Sequence, residues 1–121
     1  MKKKRIVIQR NYLEKIPARP DNIGWETDED GKVTLSIENK GWANRIAQKF
    51  FGRPKVSYVH LDEMGSFIWP LLDGKRNIIE LGKLVEDHFG EKAHPLYERL
   101  ARYFQIMDSY HFINWLSTKQ K

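Results

Sequence analysis

The stretch KVSYVHLDEMGSFIWPLLDGKRNIIELGKLVEDHFG, residues 55–90, decides the fold of this chain. Its first seven residues alternate with the period of two that is typical of a β-strand. One face of this strand carries Ser57, Val59 and Leu61, and the other carries Val56, Tyr58 and His60. Asp62 follows, where its carboxylate can accept hydrogen bonds from the free N–H groups of a helical first turn. The stretch therefore predicts a strand that leads directly into a helix.

Two runs of apolar residues at helical spacing come next. The first run extends from Met64 to Leu72 and contains Pro70, which removes a backbone hydrogen bond and predicts a kink. The second run begins at Asn77 and Glu80, the spacing of a capping box. It ends before Gly90, a residue that suits the end of a helix.

A hairpin precedes this stretch. Residues 32–38, KVTLSIE, alternate cleanly between apolar and polar side chains, and residues 22–28 alternate more weakly. Between them lies Asp30-Gly31, a strong hairpin signal because both positions of such a turn want a positive φ. An antiparallel pair of strands is expected here, with one face buried.

Residues 41–54 interrupt the path from this hairpin to the third strand. Trp42, Ile46 and Phe50 recur every fourth residue, which indicates an amphipathic helix of two to three turns. Gly52 and Pro54 end it. The helix is interpreted as a connection that packs on the sheet; the alternatives are a partner-docking surface and a helix on a membrane surface.

The two ends of the chain frame a predicted domain at residues 21–115. Residues 1–20 form an N-terminal extension, in which Pro17 favours an extended path. The last helix begins at Pro95 and ends near Tyr110-His111, followed by a short extended tail. Residues 116–121 are expected to fray.

Composition limits the function. The 121 residues suffice for one small domain, and the chain has no cysteine, which removes disulfides and thiolate chemistry. The net charge of +5 lies in the first 55 residues, with 13 Lys and Arg against 7 Asp and Glu, and much of it is a terminal basic run typical of a solvated tail. No apolar run approaches the ~20 residues that span a bilayer. We expect a cytoplasmic protein without a membrane partner.

No pattern of residues predicts catalysis. The four histidines do not recur at the spacing that places two ligands on one helix face, and no phosphate-binding glycine loop exists. Capping explains Asp62, and the serines lack the context of a nucleophile. We expect no metal, no cofactor and no enzymatic activity.

The order of elements predicts an α+β, winged-helix-like fold. A three-stranded antiparallel sheet packs on a three-helix bundle, with an extra amphipathic helix between strands two and three. The third strand is then an edge, and an unpaired edge beside an apolar helix suits the addition of a peptide strand. The alternative is an edge protected by Lys55 and by local twist.

Residues 55–113 resemble the PqqD family, the small peptide chaperones of ribosomally made, post-translationally modified peptides. The resemblance lies in HLDEMGSFIW at 60–69, in LLDGKR at 71–76, and in the two helices that follow. Minimal members lack residues 41–54, and a glycine usually stands where this chain has His111, which tolerates a positive φ better than most residues. The resemblance implies binding of a precursor's leader segment between the third strand and the third helix. It also implies presentation to a modifying enzyme, often a radical S-adenosylmethionine enzyme.

The strand is expected to pair with the leader through its backbone, and the helix to supply an apolar floor with an aromatic wall. The predicted contacts are Val56, Ser57, Tyr58, Val59 and His60 of the strand and Tyr97, Leu100, Ala101 and Phe104 of the helix. A register slip of one residue would exchange the strand face that meets the groove.

Two other functions remain open from the residues. A winged-helix nucleic-acid binder would insert the last helix into the major groove, although that helix is charge-balanced and the hairpin tip is acidic. A scaffold subunit would dock a partner through the helix at 41–51.

Overall fold

The computed structural model describes residues 10–39 and 55–116. The predicted amphipathic helix at 41–54 and residues 117–121 therefore lie outside the described part of the chain. Two compact units divide the chain: a sheet unit, residues 21–66, and a helical unit, residues 1–20 with 67–121.

The sheet unit contains a three-stranded antiparallel sheet in the order β2-β3-β4. Its strands are β2 (Gly24–Thr27), β3 (Val33–Asn39) and β4 (Lys55–His60). Leu35 of β3 lies opposite Trp25 of β2 and opposite Val59 of β4. All three predicted strands and their antiparallel pairing are confirmed.

The turn between β2 and β3 differs from the predicted two-residue turn. The N–H of Gly31 donates to the carbonyl of Asp28 (3.0 Å), and the N–H of Asp28 donates to the carbonyl of Lys32 (2.9 Å). Gly31 has a φ of 84°, whereas Asp30 does not take a positive φ. The Asp28 carboxylate explains the longer loop, because its Oδ1 accepts from the N–H groups of Asp30 and Lys32.

Ser66 closes the far end of the β3–β4 ladder. Its hydroxyl accepts from the N–H of Val33 (2.8 Å) and donates to the carbonyl of Leu61 (3.3 Å), so one side chain serves two backbone groups. Asp62 caps α2 (Glu63–Ile68) as predicted, since its Oδ1 accepts from the N–H of Gly65 (2.8 Å).

Pro70 acts more strongly than predicted. The expected kinked helix through Leu72 is wrong: α2 ends at Ile68, and Trp69–Leu71 form a 3₁₀ turn. Proline has no N–H and restricts the residue before it, so the α-helical ladder does not continue. Arg19 compensates by donating to the carbonyls of Trp69 (3.3 Å) and Pro70 (2.8 Å).

The helical unit is built on α3 (Ile78–Phe89) and α4 (Leu96–Ser109), with a 3₁₀ turn at Gly90–Ala93 between them. Asn77 and Glu80 form the predicted capping box, and Gly90 ends α3 with a φ of 63°. Gly82 lets the helices approach closely, because a Cβ there would lie 3.0 Å from Leu100 Cδ1.

The end of α4 depends on His111, whose φ is 64°. Its N–H donates to the carbonyl of Asp108 (2.9 Å), and the N–H of Phe112 donates to the carbonyl of Met107 (2.9 Å). This is the Schellman pattern, with histidine where glycine is usual. The prediction that His111 supports the turn is confirmed.

The terminal segments form a second sheet that the sequence did not predict. After a short helix α1 (Arg10–Leu13), β1 (Ile16–Ala18) pairs antiparallel with β5 (Asn114–Leu116). Pro17 lies opposite Trp115, and Leu116, expected to fray, is the last residue of β5. A strand of three residues with a central proline carries no clear alternation, so its pairing depends on a partner nearly one hundred residues away.

Among the described residues, no helix is long and apolar enough to cross a membrane. The antiparallel sheet and the helices α2, α3 and α4 confirm the mixed α+β class. The winged-helix arrangement stays a prediction.

Candidate functional site

The backbone N–H and C=O groups of β4 point alternately toward β3 and away from it. The N–H of Leu61 donates to the carbonyl of Val33 (2.9 Å), which fixes that pair as hydrogen-bonded. Because hydrogen-bonded and non-hydrogen-bonded pairs alternate in an antiparallel ladder, the N–H and C=O groups of Ser57 and Val59 point toward β3. The N–H and C=O groups of Val56, Tyr58 and His60 therefore point away from β3. Within residues 10–39 and 55–116, β3 is the strand that pairs with β4.

The side chains of β4 divide between the two faces as predicted. Val59 lies on the face of Leu35, which is fully buried. Tyr58 lies opposite Ser36 on the other face, the open face, and its side chain is 63% exposed. Val56 and His60 are also exposed there, so each residue with outward backbone groups also has an accessible side chain.

His60 is held in place on the open face. Its Nδ1 and the hydroxyl of Thr34 on β3 are hydrogen-bonded at 2.9 Å. A shallow depression of the surface lies around this pair, and its lining is Glu26, Thr27, Asp28, Thr34, Tyr58 and His60.

The predicted helix residues differ sharply in exposure. Leu100, Ala101 and Phe104 are buried, whereas Tyr97 is 36% exposed. Within the helical unit, the ring of Phe104 lies 5.9 Å from that of Trp115 on β5. Leu100, Ala101 and Phe104 are thus part of the core, and Tyr97 is the residue of the predicted helix set whose side chain is accessible.

Sequence reasoning did not single out a second exposed surface on α4. Ile106 is 50% exposed and Tyr110 64% exposed. Ile106 lies in the last turn of α4, and Tyr110 is the residue that directly follows the helix. Their spacing was a visible signal, but the apolar stripe predicted for the last helix did not include them.

The β1–β5 sheet covers part of α4 with an aromatic cluster. The indole N–H of Trp115 donates to Asp108 (3.1 Å), and the ammonium of Lys15 lies 5.5 Å from the ring centre of Tyr12 and 5.3 Å from that of Trp115. Burial raises the pKa of the Tyr12 hydroxyl, and the negative charge of Asp108 adds to the rise. The hydroxyl oxygen of Tyr12 is buried and has no hydrogen-bond partner among the described residues.

Across residues 10–39 and 55–116, no three His, Asp or Glu side chains gather in a way that could hold a metal ion. The accessible features are therefore a strand edge, an open sheet face and a helix surface. Such surfaces can pair with a backbone and contact side chains, which defines a small α+β domain suited to binding an extended chain.

This chain belongs to the PqqD family. The family model described as coenzyme PQQ synthesis protein D (PqqD) matches residues 33–113, which is most of the chain. The family is the recognition element of ribosomally synthesised, post-translationally modified peptides. The resemblance inferred from residues 55–113 is confirmed, and the match begins earlier, at the first residue of β3. No curated protein and no solved structure matches the chain.

Family membership indicates a non-catalytic, peptide-binding chaperone in the biosynthesis of modified peptides. Proteins of this family bind a precursor peptide and act together with a radical S-adenosylmethionine enzyme.

Proposed function

We propose that this chain binds the leader segment of a ribosomally made precursor peptide by strand addition at the outer edge of β4. It then presents the precursor to a modifying enzyme of the radical S-adenosylmethionine class. The observation that carries this proposal is the outward direction of the N–H and C=O groups of Val56, Tyr58 and His60.

Three outward residues support a short ladder. They alternate with residues that bond to β3, so an added strand gains regularly spaced hydrogen bonds without disturbing the existing pairing. Backbone pairing supplies affinity that does not depend on the peptide sequence, and specificity then comes from contacts to alternate side chains.

The helix α4 supplies the second set of contacts in this proposal. Tyr97 is the accessible residue of the predicted helix set, and tyrosine combines a large apolar ring with a polar tip. Leu100, Ala101 and Phe104 are buried, and in this proposal they anchor the helix that presents Tyr97.

The proposal is tested by titrating isotope-labelled protein with the short peptide encoded beside its gene. Amide signals of residues 56–60 should shift saturably, and a scrambled peptide of the same composition should leave them unchanged. Tyr97→Ala should weaken binding about five-fold, roughly 1 kcal/mol, as expected for a contributing aromatic contact. Tyr110→Ala is the matched control, because Tyr110 is an exposed tyrosine at the end of α4 and outside the predicted set.

Presentation to the enzyme is a separate step with its own test. The modifying enzyme should be retained by immobilised chaperone, and it should modify the precursor faster when the chaperone is present. If the peptide leaves residues 56–60 unaffected at every reachable concentration, strand addition at β4 is wrong. If binding occurs but the modification rate does not change, presentation is wrong.

A further inference from the structure

The open face of the sheet has an unusual charge for a chain that carries a net charge of +5. The register assigns to this face the positions Gly24, Glu26, Thr34, Ser36, Glu38, Val56, Tyr58 and His60. They include two glutamates and neither lysine nor arginine. Lys32 lies in the turn and does not line the depression.

The depression combines an acidic wall with an aromatic one. Glu26 of β2 and Asp28 of the turn stand on one side. Tyr58 and His60 of β4 stand on the other, and the hydrogen bond between Thr34 and His60 keeps the imidazole in place. The Tyr58 ring is largely exposed, so its face is available to a ligand.

This combination suits a cationic side chain, and arginine most of all. A guanidinium stacks on an aromatic face and at the same time donates to carboxylates, whereas an ammonium ion offers a point charge without a plane. A neutral ligand can still donate hydrogen bonds to the two carboxylates, but it lacks the attraction between opposite charges.

The depression adjoins the strand edge to which the leader is proposed to bind. Tyr58 contributes its ring to the depression and its outward backbone groups to that edge. An added strand lies about 4.8 Å from β4, and every second side chain of it rises on the open face beside Tyr58 and His60. A basic residue at such a position meets the aromatic wall first and the carboxylates beyond it.

We propose that the depression lined by Glu26, Asp28, Thr34, Tyr58 and His60 binds an arginine or lysine side chain of the precursor peptide. This inference rests on the proposed function for the source of the ligand. It adds a requirement on the precursor's sequence: a basic residue on the open-face side of the segment that pairs with β4.

The chemistry of the depression is tested first with a blocked tripeptide, Gly-Arg-Gly, which is too short to form a ladder along β4. Amide signals of residues 26–28, 34, 58 and 60 should shift saturably, with a dissociation constant on the order of millimolar. The same tripeptide with neutral citrulline should bind several-fold more weakly, because it keeps the planar donor group and loses the charge. Glu26→Gln should lower the affinity for the arginine tripeptide about three-fold, as expected for an exposed charge pair.

Glu29→Gln is the matched control, because it makes the same charge change in the same hairpin but outside the lining. Equal effects of the two variants, or equal shifts with arginine and citrulline, would overturn the site. Tyr58→Leu provides a second variant, which should weaken binding of the arginine tripeptide although both carboxylates are still present.

The source of the ligand is tested with the precursor itself. Replacing its basic residue by norleucine should weaken binding to the native protein and should have no further effect on Glu26→Gln, the signature of a direct coupling. If the precursor binds at β4 but none of its basic residues couples to Glu26, this inference fails while strand addition stands. If the precursor does not bind at β4 at all, the proposed function fails, whatever the tripeptide does.

Discussion

Tyr58 of β4 lies opposite Ser36 of β3 in a pair that exchanges no backbone hydrogen bonds, so the N–H and C=O of Tyr58 point away from the sheet. The same residue places an exposed ring on the open face. One position of β4 thus offers backbone groups to an added strand and a side chain to its residues. This relationship makes the outer edge of β4 the most informative part of the chain to alter.

Two proline substitutions separate pairing with a peptide from pairing with β3. Val56→Pro removes an outward N–H, so the domain should stay folded while affinity for the leader falls about ten-fold or more. Ser57→Pro removes an N–H that points toward Ile37 and should destabilise the sheet by about 2 kcal/mol. Chemical denaturation and calorimetric titration measure the two effects. Equal loss of stability in both variants would mean that the direction assigned to the N–H groups of Val56 and Ser57 is wrong.

Ser66→Ala tests the hydroxyl that closes the β3–β4 ladder. The N–H of Val33 is buried and donates to this hydroxyl, so the substitution leaves it without its partner. We expect a loss of about 2 kcal/mol in the free energy of unfolding, measured by denaturant titration. Ser109→Ala, at an exposed serine that donates to the carbonyl of Ile106, should cost about 0.5 kcal/mol or less. A loss at Ser66 no larger than the loss at Ser109 would refute the bridging role.

His111→Gly should stabilise the domain. The φ of 64° is costly for any residue with a Cβ, and glycine removes that cost, although it also adds freedom to the unfolded chain. The net gain should be about 0.5 kcal/mol, seen as a higher midpoint of thermal unfolding. Tyr110→Gly, at a φ of −96°, relieves nothing and should destabilise. A lower midpoint for His111→Gly would show that the imidazole itself stabilises the turn.

Tyr12→Phe should leave stability at neutral pH unchanged or raise it by about 1 kcal/mol at most, because the hydroxyl that it removes is buried without a partner among the described residues. The pKa of Tyr12 is raised above its usual value of 10.0, chiefly by burial. Below about pH 10, both the folded and the unfolded chain keep the proton on Tyr12. Above it the unfolded chain loses the proton first, so native stability falls as the pH rises.

The difference in unfolding free energy between the native protein and Tyr12→Phe should therefore be constant up to about pH 10 and then shift in favour of the variant. Tyr110→Phe, at an exposed tyrosine, is the control for general effects of alkaline pH. A variant that loses stability at pH 7 would indicate that the hydroxyl of Tyr12 has a bonding role.

The sequence predicted the parts of the fold that local rules decide. The alternation of apolar and polar residues located β3 and β4 and placed Tyr58 and Val59 on opposite faces of the sheet. The spacing of Asn77 and Glu80 predicted a capping box, and the two hydrogen bonds between these residues confirm it. Predictions from residue spacing and turn preference were less accurate where two local effects favoured different structures. Pro70 ended α2 rather than bending it, and the carboxylate of Asp28 favoured a longer turn than Asp30-Gly31 alone.

Long-range pairing was beyond the sequence. Pro17 opposite Trp115 joins two segments that each lack a strand pattern, so only the folded partner reveals either strand. The same limit affected the candidate site. Periodicity placed Tyr97, Leu100, Ala101 and Phe104 on one apolar arc, but it could not tell which of them other elements bury. The depression on the open face also depends on residues from three strands, and no single stretch of sequence contains it.

The most direct test of the account is amide hydrogen exchange at single residues of β4, with and without the leader peptide. In the free protein, the amides of Ser57 and Val59 should exchange slowly because they donate to β3, and those of Val56, Tyr58 and His60 should exchange fast. The leader should slow exchange at Val56, Tyr58 and His60 by about ten-fold or more and leave exchange at Ser57 and Val59 nearly unchanged. Bound leader with no added protection at Val56, Tyr58 and His60 would contradict strand addition at β4.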